Sequence, residues 1–141
     1  MLSALAGTPA KSRYHRVVAD TAPCELLLAA IRARDYAAVE ACFAADALFD
    51  VLTPRQLREH ASAHEAAERY RLWLAALEEF EVLDWDVVAV ADRVRLRYRF
   101  RGRDPESGWQ ENEHTGYATV EKGRIARMNL TCAGYRPVAA P

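Results

Sequence analysis

His114 is the side chain best suited to do chemistry in this chain. It stands in the alternating run ENEHTGYATV, residues 111–120, where Asn112, His114, Gly116, Ala118 and Val120 share one parity and Glu111, Glu113 and Glu121 the other. An imidazole with an unperturbed pKa of about 6.5 gains and loses a proton near neutrality, and a positioned acid or base contributes about 10² to 10⁴ in rate. Tyr98 is its natural companion. In RVRLRYRFRGR, residues 93–103, it shares a parity with Val94, Leu96 and Phe100, opposite six arginines. If the charged sets face water, His114 and Tyr98 meet on the apolar face, where a phenol could donate to a developing oxyanion. The same pattern also suits a core histidine bonded to a neighbour, or a ligand-binding one with no proton transfer. For Tyr98 it also suits an apolar wall with a satisfied hydroxyl.

The arginine stripe (Arg93, Arg95, Arg97, Arg99, Arg101 and Arg103) raises the question of a nucleic-acid surface. The formal net charge is −1, whereas a dedicated binder carries a basic excess. Glutamates of the next strand can meet these arginines across the sheet, each exposed pair giving about 0–1 kcal/mol. No nucleic-acid partner is expected. Arginine supplies 17 of the 19 basic residues, a bias that suits a GC-rich bacterial genome and lowers the weight of any single arginine.

Other constellations are weaker. His60 and His64 sit at i, i+4 in EHASAHE, but no third ligand stands at a known metal spacing. Cys24, Cys42 and Cys132 are odd in number and widely spaced, which fits a reducing cytoplasm. Phosphate-loop, dinucleotide and nucleophile-elbow motifs are missing, so no metal and no cofactor is expected. MLSALAG is too short for a signal-peptide core, and no run is long enough to span a bilayer.

The elements that must position His114 and Tyr98 follow from periodicity. Residues 1–22 show no period and read as an N-terminal arm, with a single domain over 23–138 and a tail over 139–141. Pro23 suits a first helical turn with Thr21 as cap, and CELLLAAIRAR continues it. Asp35 opens a second helix, YAAVEACFAADA, with Val39, Cys42 and Phe43 on one stripe. LFDVL reads as a strand stopped by Thr53-Pro54. A long helix is predicted over 62–80, with Tyr70, Trp73, Leu74 and Leu77 on its core stripe. The period then changes to two, giving four strands: WDVVAVA, RVRLRYRF, ENEHTGYATV and RIARMNLTCA. Helices followed by antiparallel strands point to an α+β domain.

This order of elements, with the terminal segment YATVEKGRIARMNLTCAGYRP, resembles the SnoaL-like branch of the nuclear transport factor 2-like superfamily over about residues 24–138. The resemblance implies a cone-shaped curved antiparallel sheet around one deep apolar pocket, with the N-terminal helices on its concave face. Phe43, Trp73, Leu96, Phe100, Met128, Leu130 and Cys132 would then line the pocket, around a small and mostly apolar molecule. The convex face would meet water or a second copy, giving a homodimer through the sheet. Ketosteroid isomerases of this fold keep a catalytic aspartate close to Asp50, but alignment places it at Val51, and their helical tyrosine falls at Leu27. Asp50 therefore joins the site only if its strand carries a bulge; otherwise it is a capping or surface acid. The Asp-Arg-Asp set of limonene epoxide hydrolases is not present, with Asn129 near the place of the second acid. The functional expectation is an acid–base enzyme of isomerase, cyclase or dehydratase type, with His114, Tyr98 and Asp50 as its catalytic candidates. The alternative is a ligand-binding or dimerisation module.

Overall fold

The computed structural model describes residues 18–141. Two short helices, α1 (Ala22–Ala33) and α2 (Tyr36–Cys42), lead into strands β1 (Phe43–Leu52) and β2 (Leu57–His60). Helix α3 (Ala63–Leu74) follows, and then strands β3 (Glu79–Val90), β4 (Arg93–Asp104), β5 (Gly108–Glu121) and β6 (Arg124–Cys132), with β7 reduced to Arg136–Pro137. The expected α+β class holds, with the helices laid on one face of a curved, unclosed sheet of seven strands. Its order is β2-β1-β6-β5-β4-β3, and β7 pairs with β5. β1 runs parallel to β6, while the other pairs are antiparallel. Of the arm expected over 1–22, residues 1–17 lie outside the described residues. Ala19 ties the chain to the β3–β4 turn through its N–H and the Ala91 carbonyl, 3.3 Å apart.

Helix ends are set by side chains. Asp35 caps α2 by accepting from the Ala38 N–H at 3.1 Å. Ser62 caps α3 by accepting from Glu65 N–H, while the Glu65 carboxylate accepts from Ala61 N–H, a reciprocal arrangement close to a capping box. At α1, Thr21 holds the cap position but its hydroxyl binds Glu25, and the Asp20 carboxylate accepts from Ala22 N–H instead. Arg34, in the left-handed region at φ 52, ends α1 and donates to the carbonyls of Leu74 (3.1 Å) and Leu77 (2.6 Å). It thereby satisfies carbonyls that the end of α3 leaves open and places a cation at the negative pole of that helix.

Three boundaries differ from expectation. The second helix stops at Cys42, and Phe43 already belongs to β1. Alanine-rich FAADA fits a helical stripe, but pairing with β6 takes it into the sheet through a bulge between Phe43 and Leu48. α3 ends at Leu74 rather than near Phe80, and Glu79 and Phe80 open β3 against Gly102 and Arg103. β2 is an additional short strand, antiparallel to the end of β1.

The alternation in β4 and β5 sorts side chains as expected. Val94, Leu96, Tyr98, Phe100, Asn112, His114 and Ala118 are buried. On the other face all six stripe arginines stand within 4 Å of a carboxylate. Arg97 bonds Glu113 at 2.9 Å and Asp84 at 3.1 Å, and Arg99 bonds Glu111 at 2.7 Å. The acids come from β3 and its approach as well as from β5, so the stripe is the centre of an ion-pair lattice rather than an open cationic surface.

Candidate functional site

The inner face of β4 and β5 is arranged in rows. His114 pairs across the sheet with Tyr98 on β4 and with Cys132 on β6. Tyr98 Oη lies 2.8 Å from His114 Nδ1 and 3.1 Å from Tyr70 Oη of α3. With Tyr98 donating to Tyr70, its single proton is used. Nδ1–H of His114 then donates to the Tyr98 oxygen, and Nε2 carries the lone pair. Trp73 covers the ring edge-on at 5.0 Å, and Phe100 does so at 5.3 Å.

This setting controls the charge of the ring. His114 is 1% exposed, and burial pushes its pKa down to about 3. The imidazole is therefore neutral throughout the physiological range. Burial also raises Tyr98 well above its ordinary value, reinforced by the neighbouring Tyr70, so both phenols stay protonated. The closed site is a chain of neutral hydrogen-bonding groups in an apolar shell. Nε2 can accept a hydrogen bond from a ligand hydroxyl, and it can take a proton once the ring is solvated or meets a polarised substrate.

The structure brings Tyr98 and His114 together and adds Tyr70, which its helical spacing marks as a core residue without revealing that its hydroxyl completes the chain. Asn112 also went unrecognised as a site residue. It is buried one step along β5, where its amide donates to Cys132 Sγ at 3.3 Å. Its parity with His114 is the sequence signal.

Asp50 is not brought in. Phe49 and Val51 on either side are fully buried, so Asp50 points to the convex face, where it accepts from Arg127 at 3.2 Å. The bulge in β1 lies before Leu48 and leaves the alternation at 49–51 intact. Asp50 is a surface acid, and the position aligned with the isomerase aspartate holds the buried Val51.

Of the expected lining residues, Trp73 borders an open cavity of about 320 Å³. Phe43, Leu96, Phe100, Met128, Leu130 and Cys132 are packed into the core at 0–8% exposure. The space expected as a deep pocket is occupied here by the rings of Tyr70, Tyr98, Trp73 and His114, with Leu130 reaching over Gly116, where a Cβ would come within 2.8 Å. His60 and His64 do not converge. His60 Nδ1 donates to the Phe49 carbonyl and its Nε2 accepts from Arg69, while His64 sits on the surface beside Glu40. Among the described residues no group of three His, Cys, Asp or Glu is placed to hold a metal, and no helix is long and apolar enough to cross a membrane.

Comparison with known proteins agrees with this fold. The family model for the SnoaL-like domain matches residues 25–128. An epoxide hydrolase of the limonene epoxide hydrolase-like type from M. tuberculosis superposes with a TM-score of 0.62 at 17% identity, covering 79% of this chain and 80% of that one. A protein described as a polyketide cyclase from Xanthomonas campestris gives 0.64 at 19% identity, covering 79% and 87%. A protein with a ketosteroid isomerase-like fold from Catenulispora acidiphila, solved with trimethylamine, gives 0.64 at 13% identity, covering 77% and 82%. At these identities the likeness shows the fold. No curated protein matches the chain by sequence.

Proposed function

Because the chain belongs to the SnoaL-like family of the nuclear transport factor 2-like superfamily, we propose that it is a small-molecule enzyme whose acid–base group is His114. The observation that carries this reading is the Tyr70–Tyr98–His114 chain on the inner face, which leaves Nε2 of a neutral imidazole free of any partner among the described residues. The substrate is a small, mostly apolar molecule with a carbonyl or hydroxyl group. Tyr98 orients the imidazole, His114 moves the proton, and the aromatic shell excludes water and strengthens both interactions. The reaction class is isomerisation, cyclisation or dehydration. The structural relatives include a protein described as a polyketide cyclase and an epoxide hydrolase, and without the hydrolase acids the proton-transfer classes fit these residues better.

Screening a panel of ring ketones, polyketide-like aromatics and hydroxylated terpenoids for turnover tests this. His114→Gln is expected to lower kcat by about a hundredfold with the fold retained; a variant as active as the wild type would end the assignment. One observation favours a second reading as a ligand-binding module: in the closed state His114 is held far from protonation. In that case ligands bind and are returned unchanged.

The expected pairing through the sheet belongs to the same reading. Leu48, Leu52 and Tyr117 are exposed on the convex face, next to the ion-pair lattice, a composition suited to a second copy. Light scattering is expected to give twice the chain mass of 15.8 kDa; a monomer at high micromolar concentration would remove this part.

A further inference from the structure

We propose that the cavity between α3 and the β4–β5 turn is the entrance to the His114 site, with Trp73 as its gate and Tyr135 as the latch. This rests on the reading of the inner face as the functional site. The cavity measures about 320 Å³. Trp73 and Tyr135 line it, and both also touch the inner site: Trp73 lies 5.0 Å from the His114 ring, and Tyr135 meets Phe100 edge-on at 5.9 Å. They are tied to each other, since the Tyr135 hydroxyl donates to the Trp73 carbonyl at 3.2 Å.

Both elements are built to give way. Trp73 sits in the last turn of α3, one residue before its end, so its ring can swing on its own side-chain torsions while Arg34 holds the helix end. Tyr135 lies in the irregular link between β6 and β7. That link is held at one end by Ala133 N–H on the Glu113 carbonyl and at the other by β7 on β5. Its Gly134 stands at φ +91 against Pro54, a conformation that only glycine adopts without strain. A swing of the Trp73 ring joins the cavity to the space in front of His114.

The walls then define the ligand. Phe49 and Tyr70 also flank the Trp73 ring, at 6.4 and 5.3 Å, so a planar ring can take its place among aromatic faces and edges. Asp104 and Gln110 stand on the outer wall. The molecule that fits is a flat, apolar ring compound with its reacting oxygen toward His114 and a hydroxyl or amine at the outer end.

Diethyl pyrocarbonate, which acylates neutral imidazole, reports the gate without any substrate. Labelling of His114 in the full chain is followed by peptide mass, with exposed His64 as internal reference. With a local gate, wild-type labelling is slow and flat in sub-denaturing urea, because little surface is exposed on opening. Trp73→Ala is expected to raise the His114 rate about tenfold, while Leu27→Ala, a core cavity variant in α1, leaves it near wild type at the same urea. Labelling that climbs steeply with urea in step with unfolding would overturn the gate, as would equal rates in the two variants. Neither result touches the turnover test above, so the gate and the acid–base role fail separately.

Discussion

Below pH 6.5 the wild-type protein is expected to lose folding stability faster than His114→Gln, by about 1.4 kcal/mol for each pH unit. The ring is buried among Trp73, Phe100, Tyr98 and, through Tyr98, Tyr70, and Cys132 is its neighbour on β6. No carboxylate is among these groups to favour the imidazolium. Its folded pKa of about 3 lies below the ordinary 6.5. The unfolded chain therefore takes up a proton that the folded one refuses. Stability is fully present above pH 6.5 and falls as the pH drops toward the folded value, by about 5 kcal/mol in all for a shift of this size. Carboxylates held below their usual range, Glu111 by Arg99 and Asp104 by the Ser107 and Glu106 N–H groups, add their own loss in more acid solution. They are common to both proteins and cancel in the difference. Urea denaturation from pH 7.5 to 4.5 reads the slopes, and parallel curves would mean that His114 is already hydrated in the folded protein.

Phe49→Ala is expected to cost about 3–5 kcal/mol, the usual range for emptying a buried aromatic site. Phe49 is fully buried on β1 and stacks on Tyr70 at 5.7 Å with 16° between the rings. Phe43 meets it at 5.6 Å and Trp73 at 6.4 Å. Tyr70 and Phe43 are themselves fully packed in the core, so the gap left by the missing ring cannot close without moving α3. The Tyr70 hydroxyl moves with that helix, so near-ultraviolet circular dichroism should also change. Leu57→Ala, exposed on the neighbouring strand β2, is the control and is expected within about 0.5 kcal/mol of wild type. Equal costs for the two would mean that the aromatic shell is not the centre of the core.

Much of this was legible in the sequence, for definite reasons. A period of two is unambiguous where arginine takes every second place of β4 and Glu111 and Glu113 alternate with Asn112 and His114 on β5, so the inward direction of Tyr98 and His114 is legible from the pattern alone. The helix-to-strand change at Phe43 is not. Val39, Cys42 and Phe43 keep a helical stripe, and only the distant β6 makes the strand preferable. The end of α3 was hidden similarly, because Arg34, forty residues upstream of Leu74, supplies the group that closes it. Asp50 was decided by parity once the bulge was located: it precedes Leu48, and the aspartate stays outside. The filling of the inner space by Trp73 and Tyr70 depends on how far α3 leans onto the sheet, which no local pattern encodes.

The parallel pairing of β1 with β6 has a consequence for synthesis. β1 leaves the ribosome with its inner face of Phe49 and Val51 already apolar, but its parallel partner β6 follows only after β2, α3, β3, β4 and β5. Until then only the β2 edge of β1 can be covered. Pairing over so long a stretch of chain is slow because loop closure precedes any reward. Until β6 emerges the unfinished chain therefore exposes a sticky strand, the kind of surface that aggregates before it folds. A premature stop before β6 would leave no smaller folded protein, only an aggregation-prone fragment.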